Sequence, residues 1–151
     1  MKTSSEVLIV DDEPNVRLVF RTALESAGYT VSEASDGEAA FDLIRARREA
    51  VVLLDLRMPR LGGLELLRRL RDGAIEAPVV IVTAHGSMPD VASAIRLGAV
   101  DFLAKPVAPE ALRRVVRQVE IRQLRQRTEL GPYRVSAGLT WGDPGAPNVM
   151  F

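Results

Sequence analysis

Short apolar runs alternate with amphipathic stretches along most of this chain. Val7-Leu8-Ile9-Val10 is apolar at every position and stops at Asp11-Asp12. A run without polar alternation predicts a strand covered on both faces. Asp12-Glu13-Pro14 follows, with a carboxylate as candidate helix cap and a proline near the first turn. Val16, Val19, Phe20, Ala23, Leu24 and Ala27 then recur at helical spacing up to Gly28, which ends the helix. Tyr29, Val31 and Glu33 alternate with polar neighbours, the pattern of an edge strand. Asp36-Gly37 opens a second helix with Ala39, Ala40, Leu43 and Ile44. Val51-Val52-Leu53-Leu54 is again wholly apolar and ends at Asp55. Pro59 and Gly62-Gly63 precede a helix carrying Leu64, Leu67 and Leu70. Val79-Val80-Ile81-Val82 ends at Thr83, and a helix around Val91 to Leu97 closes at Gly98. Phe102-Leu103 is a short strand ending at Lys105-Pro106, and a long helix starts near Pro109.

Five β–α units in succession, with apolar strands, predict an α/β fold: a parallel sheet with helices on both faces. Right-handed crossovers leave few arrangements, and a doubly wound five-stranded sheet of order 2-1-3-4-5, flavodoxin-like, is the expected one. Such sheets bind ligands beyond the carboxyl ends of their strands. The last helix is expected to run from Pro109 to Leu130, completing one domain over residues 1–130. Residues 131–151 carry four Gly and three Pro and read as an irregular tail. Within that tail Tyr133, Val135, Ala137, Leu139 and Trp141 alternate with Arg134, Ser136, Gly138 and Thr140, so an extra strand is the other reading.

Composition then narrows the chemistry. Twenty basic and twenty acidic residues cancel, which argues against a whole-protein electrostatic grip on nucleic acid or an anionic membrane. Cysteine is absent, excluding disulfides, thiolate metal sites and cysteine nucleophiles, and His85 is the only histidine. No apolar run approaches the ~18 residues of a membrane span. A cytoplasmic location is expected. Among the 20 basic residues only Lys2 and Lys105 are lysines. A lysine kept against an arginine background marks a place where a compact ammonium is wanted.

The strand ends share one rim of the expected sheet. Strand one delivers Asp11 and Asp12, strand three Asp55, strand four Thr83 and strand five Lys105. Each alone has an ordinary structural explanation as a cap, a turn former or a surface charge. Together they are costly, because clustered carboxylates repel unless a cation joins them. Oxygen ligands without His or Cys suit Mg²⁺ or Mn²⁺. Such a site binds phosphoryl groups, with Lys105 as a point charge, Thr83 as a hydrogen-bond donor and Asp55 as a carboxylate able to form an aspartyl-phosphate.

The motifs Val7-Leu8-Ile9-Val10-Asp11-Asp12-Glu13, Asp55-Leu56-Arg57-Met58-Pro59 with Gly63, Thr83-Ala84 and Asp101-Phe102-Leu103-Ala104-Lys105-Pro106 resemble those of bacterial response-regulator receiver domains. The resemblance covers about Glu6 to Arg122 and is nearest to receivers of enhancer-binding transcription activators. It implies that Asp55 accepts a phosphoryl group from a phosphohistidine of a sensor histidine kinase or phosphotransfer protein. It implies Mg²⁺ held by Asp12, Asp55 and the backbone carbonyl of Arg57, with Asp11 acting through water. Lys105 would contact the phosphoryl group, and Thr83 with Phe102 would form the switch pair. Arg57 and His85 occupy positions that tune phosphate lifetime in the family. Lys105-Pro106 is expected to be cis.

Three rivals remain on the residues. A flavodoxin-like or dinucleotide-binding protein would place Gly or hydroxyl residues after strand one, where Asp11-Asp12-Glu13 stands. A Mg²⁺-dependent phosphohydrolase with an aspartyl-phosphate intermediate would carry a second acid near its nucleophile, where Arg57 stands. A degenerate receiver would lack one of the required residues, and none is missing. A phosphoacceptor signalling domain rather than an enzyme is therefore expected. Arg96, Arg113, Arg114 and Arg117, with Asp90, Asp101 and Glu110, also suggest a phosphorylation-dependent homodimer through charged pairs.

Overall fold

A computed structural model of the chain describes residues 6–46, 50–84 and 88–140, with only the backbone described over 127–140. His85 lies outside the described residues. The elements alternate without exception: β1 (Glu6–Val10), α1 (Pro14–Glu25), β2 (Thr30–Ala34), α2 (Gly37–Ala46), β3 (Val51–Leu54), α3 (Gly63–Asp72), β4 (Val79–Ala84), α4 (Met88–Arg96), β5 (Asp101–Lys105) and α5 (Pro109–Thr140). All strand pairs are parallel, and the sheet order is β2-β1-β3-β4-β5, as the crossover argument requires.

The pleat divides the apolar strands between two cores. Leu8, Val10, Val52, Leu54, Val79 and Ile81 face α2, α3 and α4, through Ala40, Ile44, Leu66, Leu67, Leu70, Val91 and Ala94. Val7, Ile9, Val51, Leu53, Val80 and Val82 face α1 and α5, through Phe20, Ala23, Leu24, Leu112, Val116 and Val119. This is why β1, β3 and β4 read as continuous apolar runs: successive residues enter opposite cores. Gly28 and Gly98, after α1 and α4, have φ of 97° and 110°, which an L side chain rarely adopts.

Several local expectations are corrected. Val19 is 52% exposed, so the buried stripe of α1 is narrower than its apolar spacing suggests. Glu13 occupies the cap position of α1 but makes no side-chain cap bond. The Asp11 carboxylate accepts from the Glu13 N–H at 2.9 Å, a turn contact just before the helix rather than a cap. At α2, which Asp36-Gly37 opens, the Asp36 Oδ1 accepts from the Ala39 N–H at 2.9 Å.

The largest departure is in α5, which continues through Gly131-Pro132 to Thr140. Positions 133–140, whose alternation suggests a strand, are helical, and Trp141 lies outside the described residues. A helix satisfies backbone groups within itself, whereas a strand needs a neighbouring ladder that the alternation alone cannot supply. The chain divides into two compact units, Met1–Val119 and Glu120–Phe151, so the first unit closes earlier than the end of the helix. Among the described residues no helix is long and apolar enough to cross a membrane.

Candidate functional site at the carboxyl ends of the strands

Register assembles the site. Val10 pairs with Leu54, so Asp11 and Asp55 leave adjacent strands side by side, and the Asp55 N–H donates to the Val10 carbonyl at 3.0 Å. Ala84 pairs with Lys105, which brings the β4 and β5 ends to the same rim. Burial then sets three of these residues apart from the other polar groups. Asp11, Asp55 and Thr83 are the buried polar or charged residues among those described. Ionised groups are rarely buried unless paired.

Here each is paired. Lys105 Nζ donates to Asp11 Oδ2 at 2.8 Å and to Asp55 Oδ2 at 3.4 Å. The other oxygen of Asp55 accepts from the Arg57 N–H at 3.2 Å and the Thr83 hydroxyl at 3.3 Å. Burial pushes the Asp55 carboxyl above its ordinary range, against the Arg57 N–H and the attraction of Lys105, while the Asp11 charge adds to the rise. Burial would by itself lower Lys105. Its hydrogen bond to Asp11 and the charges of Asp55 and Asp11 outweigh that effect and raise it, so the ammonium is firmly charged.

Three carboxylates therefore face one ammonium. Asp11, Asp12 and Asp55 each offer an oxygen, all within 4.8 Å of one another. An all-oxygen set of this size fits a hard divalent cation and completes the charge balance that Lys105 leaves short.

The family model for the response regulator receiver domain matches residues 7–117. The chain belongs to that family. As a receiver domain it resembles the alginate biosynthesis transcriptional regulatory protein AlgB of Pseudomonas aeruginosa, with 40% identity over 85% of this chain and 30% of AlgB. It also resembles the response regulator MprA of Mycolicibacterium vanbaalenii, with 39% identity over 91% of this chain and 58% of MprA. The chain thus spans less than two thirds of the length of these relatives. The solved receiver domain of a LuxO repressor homologue from Vibrio parahaemolyticus superposes with a TM-score of 0.78 at 27% identity, covering 84% of this chain and 98% of that one. Receiver domains are signalling modules that interact with histidine kinases or phosphotransfer proteins, and the relatives are transcriptional response regulators.

The receiver brings together Asp11, Asp12, Asp55, Thr83 and Lys105, the five residues expected at the rim. Phe102 is 38% exposed. Lys105-Pro106 is cis. The Arg57 side chain is exposed and reaches Asp90 on α4, Nη2 to Oδ2 at 3.6 Å.

Two residues next to the site escaped the sequence reading. Arg17, in the first turn of α1, donates from Nη1 to the Asp11 carbonyl at 2.7 Å and from Nε to Glu33 Oε1 at 2.8 Å. Glu33 counted there only as one position of an alternating strand. A carboxylate in that alternation, where an apolar side chain would serve packing better, is the signal that could have found the pair.

Proposed function

We propose that Asp55 is the phosphoacceptor, receiving a phosphoryl group from a phosphohistidine on a sensor histidine kinase or phosphotransfer protein in the cytoplasm. A carboxylate oxygen of Asp55 attacks phosphorus, the phosphorus–nitrogen bond of the donor breaks, and the imidazole leaves with the electron pair and is protonated by solvent. Asp11, Asp12, Asp55 and the Arg57 carbonyl would hold Mg²⁺, or Mn²⁺, which when bound offsets charge developing on the phosphoryl oxygens. The chain's own residues do the rest. Lys105 leaves its pairing with Asp55 to meet a phosphoryl oxygen, as a compact ammonium can. The Thr83 hydroxyl, now on Asp55, transfers to the phosphoryl group, and Phe102 moves inward as Thr83 vacates its place. Arg57 and His85 tune how long the phosphoryl group lasts. The changed face of α4, β5 and α5 would bind the output partner, including a second copy through Arg96, Arg113, Arg114 and Arg117 against Asp90, Asp101 and Glu110. Regulation of transcription is the output proposed, in keeping with AlgB and MprA.

The observation that carries this reading is the set of three carboxylate oxygens within 4.8 Å at the strand ends, with Asp11 and Asp55 buried against Lys105 and Asp12 exposed. Incubation with acetyl phosphate and Mg²⁺, followed by intact mass measurement, is expected to show one phosphoryl group. It should be absent in Asp55→Ala and with EDTA. Phosphorylation that persists in Asp55→Ala contradicts the assignment. Free phosphate released over many turnovers would instead favour the phosphohydrolase.

A further inference from the structure

We infer that Arg17 is a positioning residue for the acid pair, acting through the peptide that joins Asp11 to Asp12. The inference rests on the proposed reading of Asp11, Asp12 and Asp55 as a metal site. Arg17 lies on α1, its partner Glu33 on β2 and the carbonyl it binds just beyond β1, so one guanidinium ties three elements together. Neither side chain is loosely solvated: Arg17 is 18% and Glu33 28% exposed. Glu33 is itself held from the other side, its Oε2 accepting from Arg21 Nε at 2.5 Å. Arg21 in turn pairs with Glu25 at 2.7 Å. The fork of Arg17 is thereby aimed at the carbonyl by a carboxylate that cannot easily turn away.

The carbonyl matters because of what shares its plane. The C=O of Asp11 and the N–H of Asp12 belong to one rigid peptide unit. Fixing that oxygen fixes the plane from which the exposed Asp12 side chain departs. The rest of Asp11 is held already, its N–H by the Ala34 carbonyl at 3.1 Å and its carboxylate by Glu13 N–H and Lys105. Arg17 supplies the restraint on the side towards Asp12. A cation this close would by simple Coulomb attraction and repulsion disfavour a metal, and Glu33 offsets that charge. Positioning and plain electrostatics therefore predict opposite signs when the guanidinium is removed.

Mg²⁺ binding to the metal-stripped full chain, by calorimetric titration, separates them. Arg17→Met keeps most of the stem and removes both donors. It is expected to weaken Mg²⁺ by about tenfold, the lower end for residues that orient metal ligands. Arg17→Lys keeps the charge but not the fork, and should weaken it by an intermediate factor. Glu33→Gln should weaken it too, with no further loss when combined with Arg17→Met, because both act through one contact. At saturating Mg²⁺ the rate of phosphorylation by acetyl phosphate should return to within about twofold of the parent, which general structural damage would not allow. Unchanged or tighter Mg²⁺ binding in Arg17→Met overturns the inference. If that variant does not fold, unchanged binding in Arg17→Lys and Glu33→Gln overturns it equally. Asp12→Ala is the reference: if it binds Mg²⁺ as the parent does, the metal reading of the acid cluster fails, and this inference with it. If Asp12→Ala loses Mg²⁺ and the Arg17 variants keep it, only the role of Arg17 falls.

Discussion

Glu33 and Asp55 are both partly or wholly enclosed carboxylates, and their surroundings move them in opposite directions. The hydrogen bond from Arg21 holds Glu33 below its ordinary value of 4.5, with burial opposing and Arg17 adding to the fall. A carboxyl depressed on folding binds fewer protons folded than unfolded, so its stabilisation is complete above the unfolded value and is lost as pH falls through the folded one. Glu33→Gln should therefore be less stable than the parent at neutral pH, by about 1 kcal/mol for partly solvated charge-assisted bonds. The two proteins should converge in acid. Urea midpoints measured from neutral to acid pH test this, and an offset that stays constant with pH would show that Glu33 contributes through packing rather than charge. Arg21 is raised by the same bond to Glu33, next by Glu25, so the two partners agree on the direction of the coupling.

At the scale of elements, the loop from β3 to α3 is set by two close backbone approaches. A Cβ on Gly63 would lie 2.7 Å from the Asp55 carbonyl oxygen and 2.7 Å from Leu56 Cα. On Gly37 it would overlap the Leu61 carbonyl oxygen and lie 2.7 Å from Leu61 Cβ. Gly37 also donates its N–H to that Leu61 carbonyl at 3.1 Å, so the start of α2 and the β3–α3 loop share one hydrogen bond. Gly63→Ala should cost about 1–3 kcal/mol, as overpacking against backbone does, and slow phosphorylation by displacing the Asp55 end of β3. Gly37→Ala should cost a similar amount but affect phosphorylation less, because it presses on Leu61 rather than Asp55. Thermal melts paired with phosphorylation rates check the contrast, and equal loss of rate in the two variants would contradict it. The strand ends themselves were legible in the sequence. Each of β1, β3 and β4 is an apolar run that stops at a polar residue, and a parallel sheet turns those stops into one rim. Arg17 and Glu33 were not legible in that way. Their meeting depends on the pairing of β1 with β2, Ile9 opposite Glu33, and on which face of α1 turns to it. The course of α5 beyond Gly131 is not legible either: Gly and Pro content points to an irregular tail and the alternation to a strand, yet the backbone is helical to Thr140, and whether a strand forms depends on a partner that the local pattern does not contain.

For the whole molecule, the site sets three carboxylates against one ammonium, a conflict that an added cation would relieve. Burial raises Asp55, with Arg57 and Lys105 opposing and the Asp11 charge adding to the rise. A carboxyl raised on folding destabilises the folded protein increasingly as pH climbs through and above its unfolded value. Without metal, Asp55→Asn removes one charge yet keeps an oxygen for the Arg57 N–H and Thr83, so it should be more stable than the parent at neutral pH. Lys105 keeps its shorter contact, 2.8 Å to Asp11, and is not left unpaired. With Mg²⁺ the order should reverse. A ligand bound only by the folded state adds stability in proportion to the logarithm of its concentration over the dissociation constant, about 2.7 kcal/mol at a hundredfold excess. The parent, with three carboxylates, should gain that stabilisation, and Asp55→Asn only a fraction of it. Melting both proteins with EDTA and then across a Mg²⁺ series reads the two effects in one experiment. A parent already more stable than Asp55→Asn in EDTA would mean that Lys105 alone balances the site. Parallel gains with Mg²⁺ would place the cation elsewhere than at Asp55.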